Sequence, residues 1–415
     1  MNRNITVLTL RQVLGMFFRR MVLSYSSLFI LAVGGTDAQI GLVNSLRPLA
    51  GLVMFPIAGY LTDIRGRVKM IAIAGYLTGI TMLLYVFAQS WEWIALGAVI
   101  QGFMVFQFPP TSAILADSLE PRNRGIGIAT MSTLANIFAI ISPYLAGYIL
   151  ELMGIETGMR LLYGLLASVQ IINGTLVIKY LEETAEPKET DRRINVLKIL
   201  KETYAGIPDL VSSMPGSVKA LGLVVGLSFI MNGIASPFWV VYATKEVGLT
   251  EIRWGLILLI ESIIKTALMI PAGIISDRYS RSRSLLVAVI LCLIAYPLTV
   301  FAKSFIHILI IRIIIGLSGA LYISSSTALM ADYLLRRIRG RGMAAIGRGS
   351  VLVGAAGGGP GMGYLFTIPV MFSSIIGGLL YSINPVYVWY SLIAASAIQV
   401  VFVFLYISDP ENIQE

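Results

Sequence analysis

Six charged side chains fall inside stretches that are otherwise apolar. Arg19 and Arg20 stand in Met16-Phe-Phe-Arg-Arg-Met-Val-Leu, and Arg47 stands in Asn44-Ser-Leu-Arg-Pro48. Glu261 and Lys265 are four residues apart, and Arg312 lies within a run of isoleucines and leucines. A charge at the centre of a membrane helix costs about 2.5–3.5 kcal/mol on insertion scales, so such residues face a cavity or a partner and work there. Arginine presents a planar fork of donors matched to carboxylate and phosphate. Five bases against one acid leave an excess of positive charge, for which an anion is the complement, because an unpaired buried charge is expensive. Glu261 is the one acid of the set and the candidate proton carrier, with Lys265 on the same helix face. Each charge also has a plainer reading. Arg19 and Arg20 are adjacent and cannot both point inward, Arg312 can snorkel outward, and Glu261 and Lys265 can neutralise each other. Tyr25, Gln101, Gln107, Asn232, Trp239, Tyr242 and Tyr322 supply polar and aromatic company, with Gln107, Asn232 and Tyr322 the leading ligand candidates.

The elements that must hold these residues are membrane helices. Of the 415 residues, 57% are hydrophobic and only 13% charged, against about a quarter charged in a soluble domain; the mean hydropathy is +0.82. A spanning helix needs roughly 20 apolar residues. Such segments fall near 12–33, 38–61, 69–88, 92–116, 126–150 and 158–179, then near 219–243, 250–275, 284–303, 305–331, 364–382 and 386–407. The net charge of +9 is topology rather than a nucleic-acid signal. Arg65, Arg67, Lys69, Arg122, Arg124, Arg278, Arg281, Arg283, Arg336, Arg337, Arg339 and Arg341 crowd alternate loops, and Lys188, Arg192, Arg193, Lys198 and Lys201 the central interval. The opposite loops hold Arg160, Lys245, Arg253 and Lys303. The positive-inside rule then places the basic loops and both termini in the cytoplasm of a multi-pass cell-membrane protein.

The chain repeats itself. Gly59-Tyr-Leu-Thr-Asp63-Ile-Arg65-Gly66-Arg67-Val-Lys69 returns as Gly273-Ile-Ile-Ser-Asp277-Arg278-Tyr-Ser-Arg281-Ser-Arg283, an offset of 214 from Asp63 to Asp277. Leu115-Ala116-Asp117 returns as Met330-Ala331-Asp332 at an offset of 215. A repeat of this length makes two related six-helix halves, 1–180 and 219–415, joined by a charged interval over 181–218 that carries apolar residues at helical spacing, an amphipathic cytoplasmic helix or a solvated tether. Gly59 and Gly273 lack side chains where helices approach closely. The same offset carries Arg47 onto position 261, so an arginine and a glutamate occupy equivalent places in the two halves. The glycine-rich stretch 354–363 precedes a span and lacks the Lys-Ser/Thr of a phosphate loop; it is the mouth of the eleventh span or a broken helix. One buried-type cysteine, Cys292, one histidine, His307, and no mid-span pair of carboxylates leave no disulfide framework, metal cluster, cofactor site or acid–base pair of an enzyme.

Twelve spans, a charged central loop and paired turns of the form Gly-x-x-x-Asp-(Arg/Lys)-x-Gly-Arg resemble the major facilitator superfamily. The resemblance matches Gly59, Asp63, Gly66 and Arg67 in the first turn and Gly273, Asp277, Arg278 and Arg281 in the second; Ile64, Val68 and Ser280 depart from the pattern. It implies an all-α fold of twelve transmembrane helices in two pseudo-symmetric bundles, a central cavity lined by spans one, four, seven and ten, and a gating role for the turns. The Gly-x-x-x-Gly-Pro pattern of proton-linked drug exporters is only half present, at Pro143 and Gly147. The expectation is a secondary active transporter working by alternating access, carrying a small organic anion on Arg19, Arg20, Arg47 and Arg312 with Gln107, Asn232 and Tyr322, and coupled to protons through Glu261 and Lys265. It is expected to act as a monomer among membrane lipids, without a cofactor or nucleic acid. A polyspecific exporter of drugs or lipophilic compounds is the alternative, and a lipid transporter or scramblase a further one.

Overall fold

The structure, a computed structural model, describes residues 3–64, 66–184, 204–334, 343, 345–346 and 364–409. The glycine stretch 354–363, the bases Arg336, Arg337, Arg339 and Arg341, Arg65, the surroundings of Gly59, the side chain of Asp63, and the amphipathic part of the interval as far as residue 203 lie outside the described residues.

The described residues form helices and no strand, as a chain must in hydrocarbon, where each backbone polar group needs an internal partner. Among them, nine helices are long and apolar enough to cross a membrane, and ten if Arg3–Leu23 and Ser26–Ala32, bent by 47°, count as one crossing. The helix Asp37–Ile64, of 28 residues, and the shorter apolar helix Thr367–Ile383 complete twelve spans. The remaining spans are Arg67–Val86, Trp91–Ser118, Arg124–Met153, Ile155–Tyr180, Gly216–Glu246, Glu251–Arg278, Arg281–Val300, Phe305–Tyr333 and Pro385–Tyr406. All twelve positions expected from the sequence carry a helix, in an all-α membrane fold.

Several spans are interrupted where the sequence removes a donor. Span four passes through a 3-10 turn at Met104–Gln107 directly before Pro109 and Pro110, whose rings have no amide to give. Span seven does the same at Ser236–Phe238, around Pro237, and then loosens into a π turn over Tyr242–Glu246. A side chain from another span also closes a helix end: Arg160, near the start of span six, donates to the carbonyls of Val86 and Ala88, both at 2.6 Å, at the end of span three.

Two compact units emerge. One comprises Met1–Gly35 with Leu46–Ala205, the other Thr36–Ser45 with Gly206–Glu415. Within the first, span three packs on span six, and span one on spans five and six; within the second, span nine packs on span twelve, and span seven on spans eleven and twelve. The packing therefore repeats with the sequence. Small residues set the distances: a Cβ on Gly75 would lie 3.1 Å from the Cα of Gly174, where spans three and six touch. Of the nine long apolar helices among the described residues, span seven is the most enclosed, with 72% of its apolar window buried, and span five the most open, with 22%. Gly273 corrects an expectation, because nothing lies within 4 Å of a Cβ built on it. Its span turns that position towards open space, so no close approach calls for glycine there.

Candidate functional site

In the second unit the buried chemistry is one ion pair. Glu261 of span eight and Arg312 of span ten meet through two contacts to the same carboxylate oxygen, Nε at 2.8 Å and Nη2 at 2.6 Å. The side chains are 10% and 1% exposed, so little water screens the pair. Two indoles flank the guanidinium, the ring of Trp239 at 4.8 Å and that of Trp254 at 5.6 Å. Gly316, one turn beyond Arg312, makes the approach possible: a Cβ there would lie 3.3 Å from Cγ of Glu261 and 3.9 Å from Cβ of Lys265. Arg312 therefore does not snorkel outward. Its partner is Glu261, whereas the sequence spacing had set Glu261 against Lys265, which is half-buried on the same helix.

The first unit holds the opposite arrangement. Arg19 lies within electrostatic reach of both Arg11 and Arg47. Arg11 and Arg19 fall two helical turns apart with Gly15 between them, and so share a face of span one. Arg11 is hydrogen-bonded to Oε1 of Gln107, which the 3-10 turn of span four presents, while Arg47 stands beside Tyr85. No carboxylate among the described residues pairs with any of the three. Arg20, like Arg11 and Arg47, is half-buried, and Arg19 is exposed.

The repeat explains the asymmetry. Arg47 and Glu261 are 214 residues apart, as are Gly102 and Gly316, and Ala98 and Arg312. Gly102 repeats the role of Gly316, since a Cβ on it would lie 2.4 Å from the carbonyl oxygen of Arg47. The position that should face Arg47, however, carries the methyl group of Ala98. The second half pairs its charges and the first half leaves its arginine without a counterpart.

The repeated turns form a second polar assembly. Arg67, at the start of span three, binds Asp117 at the end of span four, and Arg281 binds Asp332 in the same way. The two motifs that the sequence shows separately thus meet in space. Arg67 also donates to Oγ1 of Thr184 at 2.8 Å, and the amide of Val68 donates to Oε2 of Glu183 at 3.0 Å. In the second unit the equivalent amide, of Ser282, donates to Oδ1 of Asp409 at 2.9 Å. Partial burial pushes the Asp409 carboxyl up, but the hydrogen bonds from Ser280, Ser282 and Arg281 outweigh it and hold it below its ordinary value. Asp277 pairs within its own turn with Arg281 at 3.0 Å, Arg278 is exposed, and Gly66 adopts φ +78°, a conformation that favours glycine.

The other polar and aromatic candidates are spread through both units. The hydroxyl of Tyr25 donates to the carbonyl of Pro143 at 2.9 Å, and that of Tyr242 to Thr299 at 3.0 Å. Tyr322, Ser228 and Gln399 form a buried cluster, with the Ser228 hydroxyl 2.8 Å from that of Tyr322 and 2.7 Å from the Gln399 amide. They line a cavity of about 10 Å³ with Met231, Cys292, Tyr296 and Ser318, room for one water. The amide nitrogen of Gln101 and the amide oxygen of Asn232 are buried without a hydrogen-bond partner. His307 is exposed, its Nδ1 accepting the amide of Lys303 at 3.2 Å. The sequence reading missed Arg11 because it lies at the edge of its span; its spacing from Arg19 was the available signal.

The sequence matches the profile of the Major Facilitator Superfamily over residues 8–208 and 221–414. It is 25% identical over 320 residues to the multi-drug resistance efflux pump PmrA of Streptococcus pneumoniae serotype 4, covering 75% of this chain and 76% of that protein. Over 331 residues it is 24% identical to the multidrug resistance protein MdtG of Serratia proteamaculans, covering 77% of each. Among solved structures, a bacterial homologue of the human lysosomal transporter Spinster in an inward-facing, occupied conformation matches with a TM-score of 0.70 at 14% identity, covering 97% of this chain and 96% of that one. The human organic anion transporter TETRAN matches with a TM-score of 0.60 at 14% identity, covering 97% and 99%. At these identities the structural likeness carries the fold alone.

Proposed function

The chain belongs to the major facilitator superfamily and is a multi-pass membrane transporter, not an enzyme; from that premise we propose that it carries a small organic anion by alternating access. The observation that carries the reading is the unbalanced charge of the first unit: Arg11, Arg19 and Arg47 meet no carboxylate among the described residues, and Ala98 stands where a partner of Arg47 would stand. Charges held in a membrane protein without counter-charge raise the affinity for an anion, and arginine offers it paired donors. Gln107, bound to Arg11, fixes one of these guanidiniums and adds an amide beside it. Glu261 serves as the proton-coupling group, because protonating it would dissolve the ion pair that neutralises Arg312. Both termini and the basic loops face the cytoplasm.

The names of the relatives favour a second reading, export of lipophilic drugs. A thermal-shift screen of the purified protein separates the two, using salicylate and p-aminohippurate as anions and ethidium and tetraphenylphosphonium as lipophilic cations, each repeated with Arg47→Ala. A ligand at a hundredfold excess over its Kd stabilises the fold by about 2.7 kcal/mol. We expect the anions to stabilise the wild type and to lose that effect in the variant. Stabilisation by the cations alone, unaltered in the variant, makes the arginines structural and hands the function to drug export.

A further inference from the structure

The carbonyl of Leu52 sits inside the long helix Asp37–Ile64 and would ordinarily accept the amide of the fourth residue on, but that residue is Pro56. Proline has no N–H to give, and a backbone acceptor left unmet away from water is destabilising. The structure fills the vacancy from a distance of 152 residues: the hydroxyl of Tyr204 donates to the Leu52 oxygen at 2.6 Å. Tyr204 is a residue of the interval between the halves and is half-buried against the first unit.

This contact changes the meaning of that interval. Its beginning is already fastened to the first unit, because Asn4 exchanges hydrogen bonds with the backbone of Glu182 at 2.8 and 3.1 Å, and Glu183 and Thr184 accept from Val68 and Arg67. Tyr204 returns the chain to the same unit. The next residues, Ala205 and Gly206, are where the two units divide. Nothing lies within 4 Å of a Cβ built on Gly206, so no packing restrains it. Directly afterwards the short helix Ile207–Ser213 is tied to the second unit by Lys219, whose ammonium donates to the Ser212 carbonyl at 3.2 Å.

We propose that Tyr204 is a positioning residue of the transport cycle: by holding the proline-exposed carbonyl of Leu52 it closes the interval back onto the first unit, and the two six-helix units are joined by a hinge at Ala205–Gly206 rather than by a long tether. A hinge of two residues keeps the halves at high effective concentration, which a flexible connector of some twenty residues dilutes. The proposal rests on the fold and not on the identity of the solute.

Limited trypsin digestion of the full-length protein in detergent tests it, with cleavage after Lys201, three residues before the anchor, measured against cleavage after Lys188 as an internal reference. Tyr204→Phe keeps the ring and removes only the donor. We expect the Lys201-to-Lys188 cleavage ratio to rise about fivefold, the population change set by one hydrogen bond of ordinary strength. Pro56→Ala should raise the ratio as well, because the restored amide competes for the Leu52 carbonyl. The double variant should be no more sensitive than either single one. An unchanged ratio in Tyr204→Phe overturns the anchor. A rise in Tyr204→Phe that Pro56→Ala does not reproduce overturns the role given to the exposed carbonyl and leaves only a side-chain packing effect.

Discussion

Glu261 and Arg312 are the residues whose loss the molecule should feel most. Removing one partner of a buried ion pair leaves the other charge without compensation, a change that costs about 3–5 kcal/mol. Arg312→Gln and Glu261→Gln should each lower the thermal unfolding temperature by that equivalent, whereas the double substitution Glu261→Gln with Arg312→Gln should recover part of the loss. Equal and additive losses in a double-mutant cycle would show that the two side chains act independently. Arg47 should behave differently, because no described carboxylate depends on it, so Arg47→Ala should leave stability nearly unchanged while altering ligand response. Much of this was legible in the sequence, since a charge in an apolar run announces itself and the repeat offset set Arg47 against Glu261. The pairing of Glu261 was not. Spacing four apart on one helix favours Lys265, and only the packing of spans eight and ten, permitted by Gly316, brings Arg312 closer.

At the scale of the helix, the ends of spans three and nine are held by acids that arrive from far along the chain. The amide of Ser282 opens the helix Arg281–Val300 and meets Asp409, which follows the last span. A carboxylate at a helix N-terminus is stabilising by about 0.3–1 kcal/mol at an exposed site. Because the folded carboxyl titrates below its ordinary value of about 3.9, its contribution is present above that value and is lost as the pH falls through the lower folded one. Asp409→Asn should therefore reduce stability at pH 7, and the difference between variant and wild type should shrink as unfolding is measured at successively lower pH towards 3. A gap that stays constant across this range would mean that the charge has no part in the contact. The turns themselves could be read in advance as a repeat. Their partners Glu183 and Asp409 could not: each stands three residues past the last helix of its half, which ends at Tyr180 or Tyr406, but they share no motif and do not fall at the offset of 214. The Tyr204 anchor was hidden for the same reason, with the added difficulty that its acceptor is a carbonyl, which every residue has.

Across the whole molecule the duplication gives twelve helices, nearly all visible from apolar runs alone, and the packing of span three on six and of span one on five and six recurs as nine on twelve and seven on eleven and twelve. Where the copies differ, they differ by substitution at a fixed place: Arg47 with Ala98 in one, Glu261 with Arg312 in the other, and glycine at 102 and 316 in both. The protein thus contains its own parallel lineages, two descendants of one segment that took opposite answers to the same position. Each copy is then a template for editing its sister. Arg47→Glu combined with Ala98→Arg should transplant the ion pair into the first half, since Gly102 already supplies the clearance that Gly316 gives the original. Thermal unfolding of the single and double variants should show a favourable coupling of about 0.5–3 kcal/mol, and the double variant should no longer be stabilised by anions. The absence of coupling would mean that the two copies have drifted too far apart in shape to exchange parts. If it is present, the two crossings share a scaffold that accepts either charge, and one half holds a lock where the other holds an open hand.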